Sequence, residues 1–330
     1  TPRAIRLRMS ELRLRKREER ERLEHELLSP AATKADQSKG REEDEEPDEY
    51  RTAFERDRDR IIHSKAFRRL KHKTQVFLNP EGDHYVTRLT HTLQVTQVGR
   101  AMAVALGLNH TLTEAICLAH DVGHSPFGHT GEDALSPYVE GDWLHASHGV
   151  RTLSLLEPLN LTAEVLDGIR AHSWRIDPPP ETPEGMLCRF ADRIAYLTHD
   201  VADALRAGVL EYHEIPTRAL THFGATARGW SDSMITSVIA TSAREGTVTM
   251  DPEDLEVMND LRDCMFERVY LSPSMSAEKE RAIKVIRDLV EYFAAHPGEV
   301  PDSYTVPEAD PLTRAIDYVA GMTDRYALRT

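Results

Sequence analysis

Ala119-His120-Asp121-Val122-Gly123-His124-Ser125-Pro126-Phe127-Gly128-His129-Thr130-Gly131-Glu132 gathers three histidines, two carboxylates and three glycines into fourteen residues. The residues before it decide how it is presented. Leu112, Ala115, Ile116 and Ala119 recur at helical spacing, so a helix capped by Thr111 or Thr113 delivers His120 and Asp121 at its C-terminal end. Gly123 ends that helix, and Pro126 and Gly128 keep the residues after it in an irregular loop. Upstream, His91, Val95, Val98 and Met102 step by four, three and four along a helix predicted over about 86–106, with Gly107 as its C-cap. Downstream, Leu187, Phe190, Ile194, Leu197 and Val201 stripe a helix over about 186–207. Asp192, Tyr196 and Asp200 are spaced by four on roughly its opposite side. No strand run, glycine-rich phosphate loop or internal repeat stands out, and the expected fold is all-α.

A neutral imidazole and a hard carboxylate oxygen from adjacent positions suit a divalent metal. Two ligands do not hold a catalytic ion, so His120 and Asp121 call for partners. His91, twenty-nine residues earlier, and Asp192 are the candidates. Each has a blander reading: a histidine on an apolar helix face is usually a hydrogen-bonded core residue, and the polar side of an amphipathic helix usually meets water. The ordered combination of all four favours the ligand reading.

Composition sets limits. The formal net charge of -14 opposes a general nucleic-acid binder, because a phosphate backbone calls for a positive field. A metal and a few local arginines can still reverse the potential within one cleft. Cys117, Cys188 and Cys264 are odd in number and form no CxxC, as expected of reduced thiols in a cytoplasmic protein. No apolar run approaches membrane-spanning length, and neither a span nor a secretory signal is expected.

The chain divides into a charged arm and linker over 1–50 and one unit over 51–330. Arg3 to Leu28, dense in Arg and Glu, reads as a solvated helix. Ser29 to Glu49 reads as a flexible acidic linker. Within the unit, a helix from Arg51 to Leu70 and a turn at Asn79-Pro80-Glu81-Gly82-Asp83 precede a core at about 86–205. Trp143 to Leu156 reads as a helix carrying His145 and His148, and the Pro178-Pro179-Pro180 run as a rigid connector. Helical periodicity continues through 232–244, 251–271 and 277–295 in a C-terminal extension over about 210–330.

Taken together, His91, His120-Asp121 and Asp192 resemble the H…HD…D pattern of HD-domain metal phosphohydrolases. Four ordered blocks sharpen the likeness: Arg68-Arg69-Leu70 with Lys73-Thr74-Gln75-Val76-Phe77, then Thr87 to Thr92, His120 to Glu132, and Asp192 to Asp200. They resemble the dGTPase branch of deoxynucleoside triphosphate triphosphohydrolases, which includes the mammalian SAM-and-HD-domain dNTPase. The likeness runs from about Tyr50 to Leu210 and more loosely through Phe266-Glu267-Arg268-Val269-Tyr270.

The resemblance implies an all-α HD-domain globule with additional C-terminal helices. It implies a divalent ion, Mn²⁺ or Mg²⁺, on His91, His120, Asp121 and Asp192, although such ligands do not choose between metals. Arg88, His124 and Arg193 become phosphate-facing, Tyr196 the sugar-stacking residue, and Gln75 and Asp200 contacts to the deoxyribose 3′-hydroxyl. His129 with Glu132 is the favoured catalytic pair, with His145 a second acid/base candidate. The implied reaction releases deoxynucleoside and intact triphosphate. Deoxynucleotides acting also as activators near Arg68 and Arg69, and a homo-oligomeric assembly, follow from the same likeness. One block departs from the pattern. Where the family reads close to His-Asn-Ala-Gln-Ser-Leu-Arg, this chain has His145-Ala146-Ser147-His148-Gly149-Val150-Arg151. Other readings of the residues remain a different HD-domain nucleotide phosphohydrolase or phosphodiesterase, and a nucleotide-binding regulatory scaffold.

Overall fold

The computed structural model describes residues 13–76, 85–307 and 309–330. The turn expected at Asn79 to Asp83 and residues 3–12 of the expected N-terminal helix lie outside the described residues, and the helix that is described begins at Arg17 rather than Arg3. Fifteen α-helices and no strand occur among the described residues, in agreement with the all-α expectation. They are α1 (Arg17–Leu27), α2 (Ala53–His63), α3 (Lys65–Arg69), α4 (Arg88–Leu106), α5 (His110–Ala119), α6 (His129–Leu135), α7 (His145–Arg151) and α8 (Ala163–Ala171). The chain continues through α9 (Pro183–Arg206), α10 (Thr217–Phe223), α11 (Ala227–Glu245), α12 (Pro252–Met265), α13 (Pro273–Ala295), α14 (Pro311–Ala320) and α15 (Asp324–Ala327). Among the described residues no helix is long and apolar enough to cross a membrane.

Two apolar cores organise these helices. The larger joins α2, α4, α5, α8, α9 and α11 through Phe54, Ile61, Val95, Met102, Leu112, Ile116, Leu187, Ile194 and Trp230. Each such side chain contributes about 1.5–3 kcal/mol by leaving water. The smaller joins α6, α13 and α14 through Leu135, Ile286, Val290, Phe293, Val319 and Trp143. The histidine-rich loop lies between them: Val122 belongs to the larger core and Phe127 to the smaller.

The helices that carry the site start and stop close to where the pattern placed them. Gly107 ends α4 with φ +65°, the left-handed cap the sequence called for. The cap of α5 differs. Asn109, not Thr111 or Thr113, accepts the amides of Thr111 and Leu112, because its carboxamide oxygen reaches both from one residue before the helix. The helix expected from Arg51 to Leu70 is broken at Ser64, whose hydroxyl caps α3 at Phe67 N. The helix expected over Trp143 to Leu156 starts at His145 and ends in a π-helical turn over Thr152–Leu156.

The segment after α1 also differs from a loose linker. Glu184 accepts Thr33 N and Oγ1, Glu164 accepts Lys39 N and Ser38 Oγ, and Arg41 joins Asp57. Composition gave few apolar residues to hold this stretch, and buried carboxylates of the body hold it instead.

Candidate active site

The last turn of α5 fixes the central ligand. His120 Nδ1 donates to the Cys117 carbonyl at 2.7 Å, which leaves Nε2 as the lone-pair nitrogen. That atom is buried and without a partner. It lies 3.5 Å from Asp121 Oδ1 and 3.8 Å from Asp192 Oδ1. His91 arrives from α4 and Asp192 from α9, with Nε2 and Oδ1 3.1 Å apart. His91 Nε2 is also 3.9 Å from Asp121 Oδ2. All four residues proposed as ligands therefore meet in one pocket, and the ligand atoms of His91, His120 and Asp192 lie within 4.8 Å of one another. A buried imidazole nitrogen with no donor or acceptor is what a metal ligand requires before its ion arrives, so these residues fit a divalent cation.

Charge in this pocket is balanced tightly. Burial opposes ionisation of Asp121, yet Arg88, His120 and His124 hold its carboxyl well below the usual range. Arg88 Nη1 meets Asp121 Oδ2 at 2.8 Å. Burial likewise opposes Asp192, and the hydrogen bond from His91 brings it to about 2. The two carboxylates in turn overcome burial at His91 and raise its pKa. A cation in the pocket supplies the charge that the proton on His91 supplies without it.

Arg88 itself is 1% exposed, and its Nε and Nη2 have no partner. A Cβ on Gly128 would sit 2.6 Å from Nη2, and Gly128 has φ +58°. Glycine here both permits the turn and leaves the guanidinium room. Two buried, unpaired guanidinium nitrogens are suited to an anion such as phosphate.

The second half of the site is a histidine wing on the loop, α6 and α7. Gly123 lets these pieces meet, since a Cβ there would lie 2.1 Å from the His145 carbonyl oxygen. Glu132 and both catalytic candidates, His129 and His145, fall in this one group. Glu132 engages His145 rather than His129: His145 Nδ1 donates to Glu132 Oε1 at 2.5 Å. Glu132 is on the inner face of α6, whereas His129, at its first turn, is the exposed member of the group. The His129 ring stands 5.1 Å from that of His124 and 5.8 Å from that of His145. His124 lies stacked on His145 at 3.7 Å, and its Nε2 is 3.1 Å from Asp121 Oδ1.

These contacts separate the histidines by charge. Burial lowers the pKa of His145, but Glu132 more than offsets it and the net shift is upward. Glu132, against its own burial, falls to about 2 beside His145. His124, 1% exposed, goes down through burial and through Arg88 and His145. Glu132 thus favours the charged form of His145, while the surroundings of His124 favour its neutral form.

Sequence reasoning missed His172 and Tyr270. His172 Nδ1 donates to the Ile169 carbonyl at 2.7 Å, and its Nε2 faces His145 Nε2 at 2.9 Å. Burial and the two histidines beside it bring its pKa to about 3, so the neutral ring accepts the Nε2–H of His145. Val165, Ile169 and His172 step by four and three, the same signal that singled out His91. Tyr270, at the end of the loosely matching 266–270 block, donates to Asp200 Oδ2 at 2.5 Å. Burial pushes the Asp200 carboxyl up to about 7. His148, in the block that departs from the family pattern, is buried and its Nδ1 donates to the Gly123 carbonyl at 2.9 Å.

The other substrate candidates sit on α9 and in the segment before α4. Arg193 is stacked over Trp174 at 4.2 Å and donates to Asn259 at 3.1 Å, with Nε buried and unpaired. Tyr196 is partly buried on α9 one turn on, and Gln75 has a buried, unpartnered Oε1.

Comparison with known proteins gives the same picture. The HD domain model matches residues 88–197, and the phosphohydrolase-associated domain model matches 248–330. A deoxyguanosinetriphosphate triphosphohydrolase-like protein of Caldanaerobacter subterraneus subsp. tengcongensis is 46% identical over 318 residues, covering 94% of this chain and 93% of its own. Proteins of the same description from Clostridium perfringens strain 13 and Desulfatibacillum aliphaticivorans are 43% and 42% identical, each covering 94% of this chain and 94% and 95% of their own. The coarse chemistry is that of a phosphohydrolase with a His/Asp site able to hold a divalent metal. The chain belongs to the HD-domain family of deoxyguanosinetriphosphate triphosphohydrolase-like proteins.

Proposed function

We propose that this enzyme hydrolyses deoxynucleoside triphosphates to deoxynucleoside and inorganic triphosphate. The observation that carries the reading is the pairing of an orphaned, buried His120 Nε2 in the ligand pocket with a proton-bearing His145 beside it. The names of the relatives support the substrate class.

His91, His120, Asp121 and Asp192 would hold the ion, with Mn²⁺ or Mg²⁺ the first choices. When bound, it polarises a phosphoryl oxygen and lowers the pKa of a coordinated water. Arg88 binds the phosphate charge through Nε and Nη2, which its bond to Asp121 leaves free, and Arg193 adds a second guanidinium. Water attacks the α-phosphorus, the bond to the 5′-oxygen breaks, and that oxygen leaves with a proton. His145 supplies this proton from Nε2 once that N–H turns from His172 to the leaving oxygen, and Glu132 stabilises the charged ring before transfer. His129 accepts the proton that the attacking water gives up, and His124 faces the phosphate. Tyr196 stacks on the sugar, and Gln75 and Asp200 meet its 3′-hydroxyl, with Tyr270 holding Asp200 in place. A homo-oligomer and a second, activating nucleotide near Arg68 and Arg69 complete the proposal.

Purified protein incubated with Mn²⁺ and each of the four deoxynucleoside triphosphates, singly and mixed, tests this. Phosphorus NMR should show intact triphosphate with free deoxynucleoside. Monophosphate with pyrophosphate would assign the chain to another HD-domain chemistry, and no turnover with any metal would favour a nucleotide-binding scaffold.

A further inference from the structure

The last helices reach the histidine loop through side chains that the chemistry above leaves without a task. Asp324, the first residue of α15, is buried. Its Oδ1 accepts Phe127 N–H at 3.0 Å and its Oδ2 accepts Thr74 N–H at 2.8 Å. Lys73, 3% exposed, donates from Nζ to the His124 carbonyl and, at 3.2 Å, to that of Ala320. Asp317 on α14 accepts two hydrogen bonds from Arg151, at 2.8 and 2.7 Å, and lies 3.7 Å from Nε2 of His148, the residue that holds Gly123. Three points of the loop, Gly123, His124 and Phe127, are thus held directly or through one residue from 317–324.

The Asp324 contact is the most demanding of these. Phe127 has φ +63°, a left-handed conformation that a side chain with Cβ disfavours, and its N–H is the group the carboxylate takes. Gly128 and His129 come directly after it. The second N–H belongs to Thr74, next to Gln75. Thr74 forms a β-bridge with Thr87, and Arg88 N donates to the Lys73 carbonyl at 3.2 Å. One carboxylate therefore ties the bridged segment beside Arg88 to the turn that leads into His129.

We propose that Asp324 is a positioning residue for the hydrolysis: it fixes the separation between Arg88 and the histidine wing, which makes the C-terminal helices part of the working site. This rests on the dNTP reading above. A carboxylate offers an acceptor to each N–H, whereas an amide of the same shape offers only one oxygen, so Asp324→Asn strands one of the two.

The test compares Asp324→Asn with Arg325→Ala, an exposed neighbour, in the full chain. Melting temperature, Mn²⁺ binding by calorimetry and triphosphate release are measured for each. The expected result for Asp324→Asn is a tenfold to hundredfold fall in kcat, with KM within threefold and Mn²⁺ affinity within twofold of wild type. Arg325→Ala should match wild type. A merely stabilising role would lower the melting temperature and leave kcat unchanged, so kcat within twofold in the folded variant overturns the proposal. A kcat loss of equal size in Arg325→Ala does the same. If Asp324→Asn does not fold, hydrogen exchange on the wild type decides: Phe127 and Thr74 amides must be the slowest of their segments, and rapid exchange of both overturns it. A wild type that releases no triphosphate fails the dNTP reading itself, a separate outcome.

Discussion

The ligand pocket and the histidine wing are neighbours built on different principles. The pocket takes His91 from α4, His120 from the end of α5 and Asp192 from α9, three helices that share the larger core. Its key nitrogen is left without a partner. The wing takes His124, His129, Glu132 and His145 from a loop and two seven-residue helices. Its groups are occupied with one another, as in the Glu132–His145–His172 chain. One region offers a nitrogen suited to a cation, while the other links its groups in a hydrogen-bonded chain. Rigid helices suit the first task because ligand spacing must be set in advance, and a hydrogen-bonded loop suits the second because a proton must be able to move.

The largest test of this contrast is His120→Ala combined with Asp121→Ala. Mn²⁺ binding by calorimetry should vanish, and turnover should fall by at least ~10³-fold, the scale of losing a metal's contribution. Retained metal would break the assignment of the pocket. His145→Gln should act on the other half alone: Mn²⁺ affinity stays and kcat falls about 10²- to 10³-fold, as for loss of a general acid. If that variant also lost its metal, the two regions would be one.

Protons should distinguish the regions next. The pKa of His91 is raised when no cation is bound, so protons compete with the ion for it. Mn²⁺ affinity should therefore weaken as pH falls from 8 to 6, by up to about tenfold per unit for one displaced proton. The same titration on His145→Gln should give the same slope, and a flatter one would show that the wing takes part in binding. Smallest of the four is Gly128→Ala. The new methyl strains a φ of +58° and crowds Arg88 Nη2, at a cost of about 1–2 kcal/mol in stability and a severalfold rise in KM. Unfolding in urea and steady-state kinetics would read the two effects, and an unchanged KM would remove Arg88 from the substrate.

The same contrast explains what was legible in the sequence. α4, α5 and α9 repeat their apolar residues every three or four positions, and that period alone puts His91 on the buried face. Asp192 and Asp200 needed the ligand blocks as well, because a polar helix side looks alike whether it meets water or a cleft. The wing has no period. Which of His129 and His145 pairs with Glu132 depends on how α6 and α7 are rotated about Gly123, and rotation leaves no mark on spacing. Asp324 was illegible for a plainer reason: it reaches the site from far along the chain, on a helix whose own pattern speaks only of packing, while Tyr270 stood in a loosely matching block without a role.

Val122 is packed in one core and Phe127 in the other, so the histidine loop spans the seam between them. A catalytic constellation placed at such a seam has no independent lifetime. Whichever core opens first under heat or denaturant takes the loop with it, and inactivation should precede or coincide with the earliest melting transition. The working life of the enzyme is then set by the weaker of the two cores, and stabilising substitutions extend it only when they fall there.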